Sequence, residues 1–300
     1  MAETLYLYLH EAARAAVSAG APRMATRVKE AVEAAGWEVV LLPEAAREVA
    51  AAIPGHHMVF NRPVIGPRCL TLRKCCFDPF WRIETTNDRW DWQIAETPFT
   101  GAAVPRARAR QFQGFWRSRL FADTEIAREG FVFVPLQGKL TEHRSFQSMS
   151  PLAMLEAVLT RWPGVPVRAT LHPGETYAPE ELAALVTLEE RFPMLRLSDE
   201  PSMQLLARCN LVVTQNSTLA AKGFFADKPA MLFARIDFQH VAASVPRDGL
   251  DAAFAQVESG ENRDYPAFLH WYFKENALVF WAGDVQDAIR KRLREHGWPI

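Results

Sequence analysis

Two short polar segments, each directly after an apolar run, are the first candidates for chemistry in this sequence. They read HPGE (172–175) and QNST (215–218). An imidazole can bind a phosphate as a cation or through a neutral N–H group. Ser and Thr hydroxyls, with the free backbone N–H groups of a following helix, form a nest for anions. Each segment also has a plainer interpretation, because a lone His can cap a loop and Ser or Thr is an ordinary helix N-cap.

The elements around these segments bring them to one edge. Between residues 128 and 240, five apolar runs alternate with four amphipathic segments, which predicts a doubly wound, Rossmann-like unit. Ligands of such a sheet bind beyond the carboxyl ends of its strands, where both polar segments lie. Their common edge therefore favours a nucleotide phosphate site. The predicted strands are 131–137, 165–173, 195–198, 211–214 and 229–234, and the predicted helices are 150–163, 178–192, 201–209 and 219–227.

The first half of the chain has a similar but less regular pattern. Apolar runs at 5–9, 37–43 and 56–60 are separated by helical spacing at 23–36 and 44–53, which predicts a parallel sheet. Residues 61–105 are irregular apart from a strand candidate at 69–77, and long irregular segments are often functional loops. A helix follows at 107–120, and helices are expected at 249–259, 264–281 and 284–297. We expect an α/β fold with two domains, 1–125 and 126–300.

Composition excludes several classes of protein. The 300 residues are 49% hydrophobic, and 34 Lys+Arg balance 35 Asp+Glu to a net charge of −1, so neither a disordered chain nor a generally basic nucleic-acid binder is expected. The four cysteines show no CxxC spacing and are expected to be reduced thiols. No apolar run is long enough to span a bilayer, and no signal peptide is recognisable. P-loop, GxGxxG, HExxH and GxSxG motifs are absent, and His56-His57 lacks further ligands for a metal.

Carboxylates and tryptophans supply the remaining candidates. Glu142, after the first strand of the second half, is the first choice for a catalytic base, and loop acids including Asp88 and Asp91 are the reserve. Aromatic rings of the irregular segment can stack on sugar rings, although a small aromatic core is an equal alternative. The arginine-rich run 106–110 is either a solvated helix face or a contact for an anionic glycan, lipid phosphate or membrane surface. The predicted acceptor-binding residues are Asp78, Trp81, Glu84, Trp90 and Trp92.

Three segments together resemble the capsular-polysaccharide glycosyltransferases of Gram-negative bacteria, which include Kdo transferases that use a CMP-activated sugar. The segments are FVFVPLQGKLTEHRSFQSMSPLAML (131–155), VRATLHPGE (167–175) and NLVVTQNSTLAAKGFFADKPAMLFAR (210–235). The resemblance implies a GT-B fold, with two Rossmann-like domains facing across a cleft. It places a nucleotide sugar in the second domain and the acceptor in the first, and it puts Gln137 at the edge between them. The predicted nucleotide-binding residues are His172, Pro173, Glu175, Gln215, Asn216, Ser217 and Thr218.

The function expected from this resemblance is a metal-independent transferase without a cofactor. It would move Kdo or another acidic sugar from a nucleotide donor to a glycan or glycolipid, with Glu142 and Gln137 as catalytic residues. We expect a cytoplasmic location, and peripheral association would place the protein at the inner face of the membrane. Nucleic acid is not an expected partner. Many family members carry an acidic element where this chain has 139–143, and a basic residue at Thr170. Those differences leave three alternatives open: a fold that binds nucleotide or glycan without transfer, a UDP-sugar epimerase, and a scaffold.

Overall fold

The chain folds into two compact units in the computed structural model, which describes residues 3–101, 103–261 and 263–300, without the side chains of 49–51. The first unit runs to Glu96 and also takes Tyr272–Ile300, whereas the second is Thr97–Trp271. This division differs from the expected one at 125/126 and corrects it. The helix at 106–120 packs within the second unit, and the end of the chain returns to the first.

The first unit is built on a six-stranded sheet in the order β12-β5-β4-β3-β1-β2. Strands β1 to β4 are parallel, whereas β5 runs antiparallel to β4 and β12 antiparallel to β5. Its strands are β1 (Thr4–Leu9), β2 (Glu38–Pro43), β3 (His56–Phe60), β4 (Cys69–Lys74), β5 (Phe80–Glu84) and β12 (Leu278–Val279). Its helices are α1 (Glu11–Ser18), α2 (Met24–Glu33), α3 (Gln93–Glu96) and α12 (Val285–Glu295).

Helix α12 explains why the end of the chain belongs to this unit. Its buried residues Ile289 and Leu293 join one apolar core with Val28 and Val32 of α2 and with the strands of the sheet. The Arg290 guanidinium also donates to the Ala31 carbonyl at 3.2 Å. Apolar residues spaced three and four apart on both helices allow them to bury a continuous stripe. The predicted helix 264–281 is confirmed as far as Glu275, through an α-helix (Tyr265–Leu269) and a π-helix (His270–Glu275), and is wrong beyond it, where the chain forms β12.

Three further expectations for the first unit are corrected. Residues 44–53 form a 3-10 helix, Glu44–Ala52, rather than an α-helix. The apolar run 37–43, expected as a buried strand, forms β2, which is half-buried because it lies at the edge of the sheet beside β1. The segment 61–105, expected to be irregular, contains the fully buried strand β5. Helix α1 has no counterpart among the expected elements.

The second unit has an entirely parallel sheet in the order β11-β10-β9-β6-β7-β8. Its five expected strands and four expected helices are all present, and β11 is a sixth strand. The strands are β6 (Val132–Pro135), β7 (Val167–Thr170), β8 (Leu195–Leu197), β9 (Leu211–Thr214), β10 (Ala230–Leu232) and β11 (Ala243–Ser244). The helices are α4 (Arg106–Leu120), α5 (Pro151–Arg161), α6 (Pro179–Arg191), α7 (Ser202–Arg208), α8 (Thr218–Phe224), α9 (Val245–Asp248), α10 (Leu250–Glu258) and α11 (Tyr265–Leu269).

Apolar strands and capped helices account for this regularity. Strands β6 and β9 are buried at every position, as expected for central parallel strands covered on both faces. Ser150 caps α5 by accepting the Ala153 N–H at 3.2 Å, with Pro151 in the first turn. The four cysteines are free thiols, as predicted. Among the described helices, none combines the length and the apolar character that crossing a bilayer requires.

Candidate functional site

The strand order of the second unit defines where a ligand can bind. Taken in chain order from β6, the six strands lie in the sheet as 3-2-1-4-5-6, so the direction of winding reverses between β6 and β9. In doubly wound sheets the crevice at this switch point, outside the carboxyl ends of the strands, receives the ligand. Gln137 lies two residues beyond β6 and Gln215 directly follows β9. Both predicted residues are therefore at the switch point.

The end of β9 is held firmly against β6. The Thr214 hydroxyl donates to the Pro135 carbonyl at 3.1 Å, and the Gln215 side-chain N–H donates to the Met149 carbonyl at 3.1 Å. Gln215 is 1% exposed, and its Oε1 has no hydrogen-bond partner among the described residues. Since Nε2 is fixed on a carbonyl, this amide presents an acceptor. Gln137 presents a second buried Oε1 that has no partner in the same described ranges.

The residues after Gln215 begin helix α8. Asn216, Ser217 and Thr218 are half-buried. The Ser217 hydroxyl accepts the Leu219 N–H at 3.3 Å and so acts as the N-cap, which was the plainer interpretation of this segment. A capping hydroxyl uses its oxygen as acceptor and keeps its own proton for another partner. The capping role therefore leaves Ser217 able to donate a hydrogen bond.

His172 is fixed by its own loop. Its Nδ1 accepts the Gly174 N–H at 3.1 Å, and its backbone N–H donates to the Tyr177 hydroxyl at 2.8 Å. A neutral imidazole with Nδ1 as acceptor carries its proton on Nε2. The exposed ring thus offers an N–H donor at the end of β7, next to β6 in the sheet. The neighbouring Pro173 is also exposed.

Glu175 joins the loops after β6 and β7. Its side chain packs so closely on Gly138 that a Cβ added there would overlap the carboxylate. Gln137 and Glu175 are therefore brought to the same place. Glu142, the predicted base, is exposed and forms an ion pair with Lys139 at 2.8 Å.

Gln147 is a candidate that sequence reasoning missed. The segment after β6 crosses the carboxyl edge and forms an antiparallel bridge between Gln147 and Ala234, beyond β10. Its Oε1 accepts the Arg144 N–H at 2.8 Å, whereas Nε2, in a side chain only 6% exposed, has no partner among the described residues. This amide thus presents a donor, complementary to the acceptor of Gln215. Its place in the connection after the first strand of a doubly wound unit was the available signal.

The first unit has a cavity of about 640 Å³ at the carboxyl ends of β1, β3 and β4. Two predicted acceptor residues, Asp78 and Trp81, line it, and the Trp81 indole N–H donates to Asp78 Oδ1 at 3.0 Å. Trp281, 56% exposed, adds a second indole to the same wall. Trp81 itself is only 6% exposed, and Lys74 lies over its ring and pairs with Asp78, so the cavity combines one exposed indole with hydrogen-bonding side chains.

The other predicted acceptor residues are not among the described residues that line this cavity. For two of them, burial shows that the predicted acceptor-binding role is wrong. Glu84 is buried in an ion pair with Arg82. Trp92 is buried too: the Arg82 and Arg89 guanidinium groups lie 5.6 and 5.4 Å from its ring centroid, and its indole N–H donates to the Thr86 carbonyl. Neither side chain can stack on or bind a glycan from this position. Trp90 is half-buried and is not among the described residues lining the cavity.

Comparison with known proteins places the fold. The Kdo 2,7 transferase structure of KpsC from Thermosulfurimonas dismutans is 12% identical, with 98% of this chain and 99% of that chain covered at a TM-score of 0.50. The Kdo 2,4 transferase structure of the same protein gives 11% identity, 87% and 88% coverage and a TM-score of 0.47. The UDP-GlcNAc 2-epimerase of Neisseria meningitidis is 7% identical, with 98% of this chain and 100% of that chain covered at a TM-score of 0.38. No protein-family profile and no curated protein matches the sequence.

The first of these likenesses defines the class to which the fold belongs. It covers both units from end to end, and at 12% identity it is a likeness of fold. Together with the two parallel-rich sheets, it confirms the expected α/β class with two Rossmann-like domains of the GT-B type.

Proposed function

We propose that the protein is a glycosyltransferase that moves an acidic sugar such as Kdo from a CMP-activated donor to a glycan or glycolipid. One observation supports this most: the 3-2-1-4-5-6 sheet places the His172 N–H donor and the 215–218 segment at one edge. The sequence resemblance to CMP-sugar transferases supplies the donor class. No metal or cofactor is required by the proposal.

The donor phosphate would be bound by His172 Nε2–H and by the Ser217 and Thr218 hydroxyls. When the sugar leaves as an oxocarbenium-like species, negative charge grows on the phosphate, and donors already held in place stabilise it. The Nδ1 contact with Gly174 holds the imidazole so that its donor needs no reorientation. Pro173 and Asn216 shape the two loops, and Gln215 and Gln147 contribute one acceptor and one donor to the ribose or the base.

An acceptor hydroxyl must lose its proton, which calls for a carboxylate. Glu142 is the first choice, and the chain offers Glu175 as a direct comparison on the neighbouring loop, with Gln137 beside it. Glu142→Gln and Glu175→Gln remove one charge each with little change in volume. A fall in kcat in Glu142→Gln with unchanged CMP affinity supports Glu142 as the base, and the same pattern in Glu175→Gln transfers that role.

The acceptor would occupy the cavity of the first unit. Trp281 offers an exposed ring face, and Asp78 offers a carboxylate that can accept from sugar hydroxyls, whereas Trp81 is buried and supports the wall behind them. Trp281→Ala is the informative variant because its side chain is largely exposed, so its loss is expected to raise the acceptor KM without unfolding the unit.

A second candidate is a protein of this fold that binds nucleotide without transfer. The Glu142–Lys139 ion pair favours it, because a surface lysine already occupies the carboxylate proposed as the base. Incubation with CMP-Kdo, CMP-sialic acid or UDP-GlcNAc, with and without a panel of glycan acceptors, separates the candidates. Acceptor-dependent CMP release is the predicted result. CMP binding without release selects the second candidate, and epimerised UDP-GlcNAc or no nucleotide binding contradicts both.

A further inference from the structure

Helix α4 of the second unit carries an unusual distribution of charge. Its sequence, RARARQFQGFWRSRL, contains five arginines and no acidic residue. Ala109, Gln113 and Trp116 are its buried residues. Helical geometry places the arginines along the two borders of the opposite face, with Phe115 and small or polar side chains between them. Arg106, Arg110 and Arg117 follow one border, and Arg108 and Arg119 follow the other.

A comparison with α12 shows that this charge is not simply that of a basic surface helix. In α12, Arg290 pairs with Asp287, and Lys291 and Arg292 pair with Glu295. In α4, Arg117 pairs with Asp227 at 3.1 Å. Arg106, Arg108, Arg110 and Arg119 have no carboxylate partner within the described ranges of the chain. The borders of α4 therefore present four positive charges that form no ion pair within the described residues.

An exposed aromatic ring lies on the same helix. Phe115 is 47% exposed, and the Arg119 guanidinium packs over its ring at 4.3 Å from the centroid. An arginine that stacks on an exposed phenyl ring provides a charge and an apolar surface at the same place. Basic helices with exposed aromatic residues bind the interface of anionic membranes, where the ring enters the acyl boundary and the cations meet phosphates.

A polar cavity of about 350 Å³ continues this surface. Arg106, Arg110 and Arg263 line it, together with Asp227 and Asp264. Asp227 is paired with Arg117 and also accepts from Gln113, whereas Asp264 caps α11 through the Ala267 N–H and keeps its negative charge; within the described residues neither acid forms an ion pair with Arg106 or Arg110. The two α4 arginines that line it thus remain available for an anion of the size of a headgroup phosphate.

We propose that α4 is a docking surface for an anionic phospholipid bilayer, on which the helix lies with its arginines at the phosphates and Phe115 at the acyl boundary. Charge complementarity supports this occupant, and Phe115 favours a bilayer over a soluble polyanion, which has no apolar layer to receive the ring. The inference rests on α4 and the cavity beside it and does not depend on the transferase activity.

Vesicle sedimentation with the full-length protein tests it. The protein is expected to bind phosphatidylcholine vesicles that contain about 25–30% of the anionic lipid phosphatidylglycerol, and not to bind vesicles of pure phosphatidylcholine. Each arginine near such a surface is worth about fivefold in affinity, so the triple variant Arg106→Gln, Arg108→Gln, Arg110→Gln should bind roughly 100-fold more weakly. Phe115→Ser should also weaken binding.

The matched control removes the same charge elsewhere. Arg161, Arg191 and Lys291 are exposed and pair with Glu258, Glu156 and Glu295. Their combined change to Gln should leave vesicle affinity within a few-fold of wild type, with circular dichroism confirming the fold of each variant. An equal loss in the control, or no binding to anionic vesicles, overturns the proposal. So does a Phe115→Ser variant with wild-type vesicle affinity, or dextran sulfate binding that is tighter than vesicle binding.

Discussion

The buried ion pair of strand β5 gives the sharpest prediction about stability. Arg82 and Glu84 are 4% and 3% exposed, and Arg82 Nη1 also donates to the Asn276 carbonyl. The perturbation is Glu84→Gln, which keeps the shape of the side chain and removes its charge. The guanidinium is then left buried beside Trp92 with no countercharge from Glu84.

The expected cost follows from that burial. Removing one partner of a buried pair leaves an uncompensated charge and costs about 3–5 kcal/mol. A domain is stable by only about 5–15 kcal/mol, so the variant loses a large share of the stability of its unit. Replacing both residues, in Arg82→Met with Glu84→Met, should cost less than Glu84→Gln alone, because no charge then remains buried.

Urea denaturation followed by tryptophan fluorescence measures these differences. Glu33→Gln in the same unit is the matched control, since the Glu33–Lys29 pair on α2 is solvent-accessible and worth only about 0.3–0.5 kcal/mol. A Glu84→Gln variant that loses under about 1 kcal/mol, or no more than Glu33→Gln, refutes the reasoning and reopens a ligand-binding role for Glu84.

Three other predictions concern the effect of burial on stability, on protonation and on thiol reactivity. Trp92→Ala should cost about 3–5 kcal/mol in urea unfolding, and Trp281→Ala about 0.5 kcal/mol or less, because only the first ring is buried; equal costs contradict the assignment. Burial lowers the pKa of His57 below its ordinary value. Below about pH 6.5 His57 therefore takes up a proton in the unfolded chain but not in the folded one. The free energy of unfolding should fall as the pH drops from 7 through the folded-state pKa. The urea midpoint of His57→Gln should depend less on pH over this range, and an unchanged slope contradicts the argument. Burial raises the pKa of the Cys209 thiol to about 12, so iodoacetamide at pH 8 should modify Cys209 in the urea-unfolded protein and leave it intact in the native one; labelling of native Cys209 in peptide mass spectra contradicts this.

The second unit was the more predictable part of the chain. Its strands are short and mostly apolar, and amphipathic helices alternate with them, so local sequence and tertiary position agree. Gln215 followed from that alternation, and the family resemblance singled out Gln137. Gln147 followed from neither, because its position depends on the bridge to Ala234, a contact between distant parts of the chain.

The first unit shows what local patterns miss. Strand β5 reads FWRIE, and its arginine and glutamate gave it the appearance of a polar loop. Arg82 and Glu84 lie two residues apart on the same face of the strand and form an ion pair. A pattern of apolar spacing does not reveal such a pair. The pairing of β12 with β5 is likewise a contact between residues far apart in sequence. Domain boundaries drawn from linear order therefore assigned the end of the chain to the other unit.

The most direct test of the proposed donor site is a calorimetric titration of CMP into the wild-type protein and His172→Ala. His172 is exposed, so its loss should leave the fold intact while it removes a hydrogen bond to a charged phosphate worth about 1.5–3 kcal/mol. CMP is predicted to bind the wild type in preference to UDP and ADP, and to bind the variant at least tenfold more weakly than the wild type. Absence of CMP binding, or equal affinity in the two proteins, contradicts it.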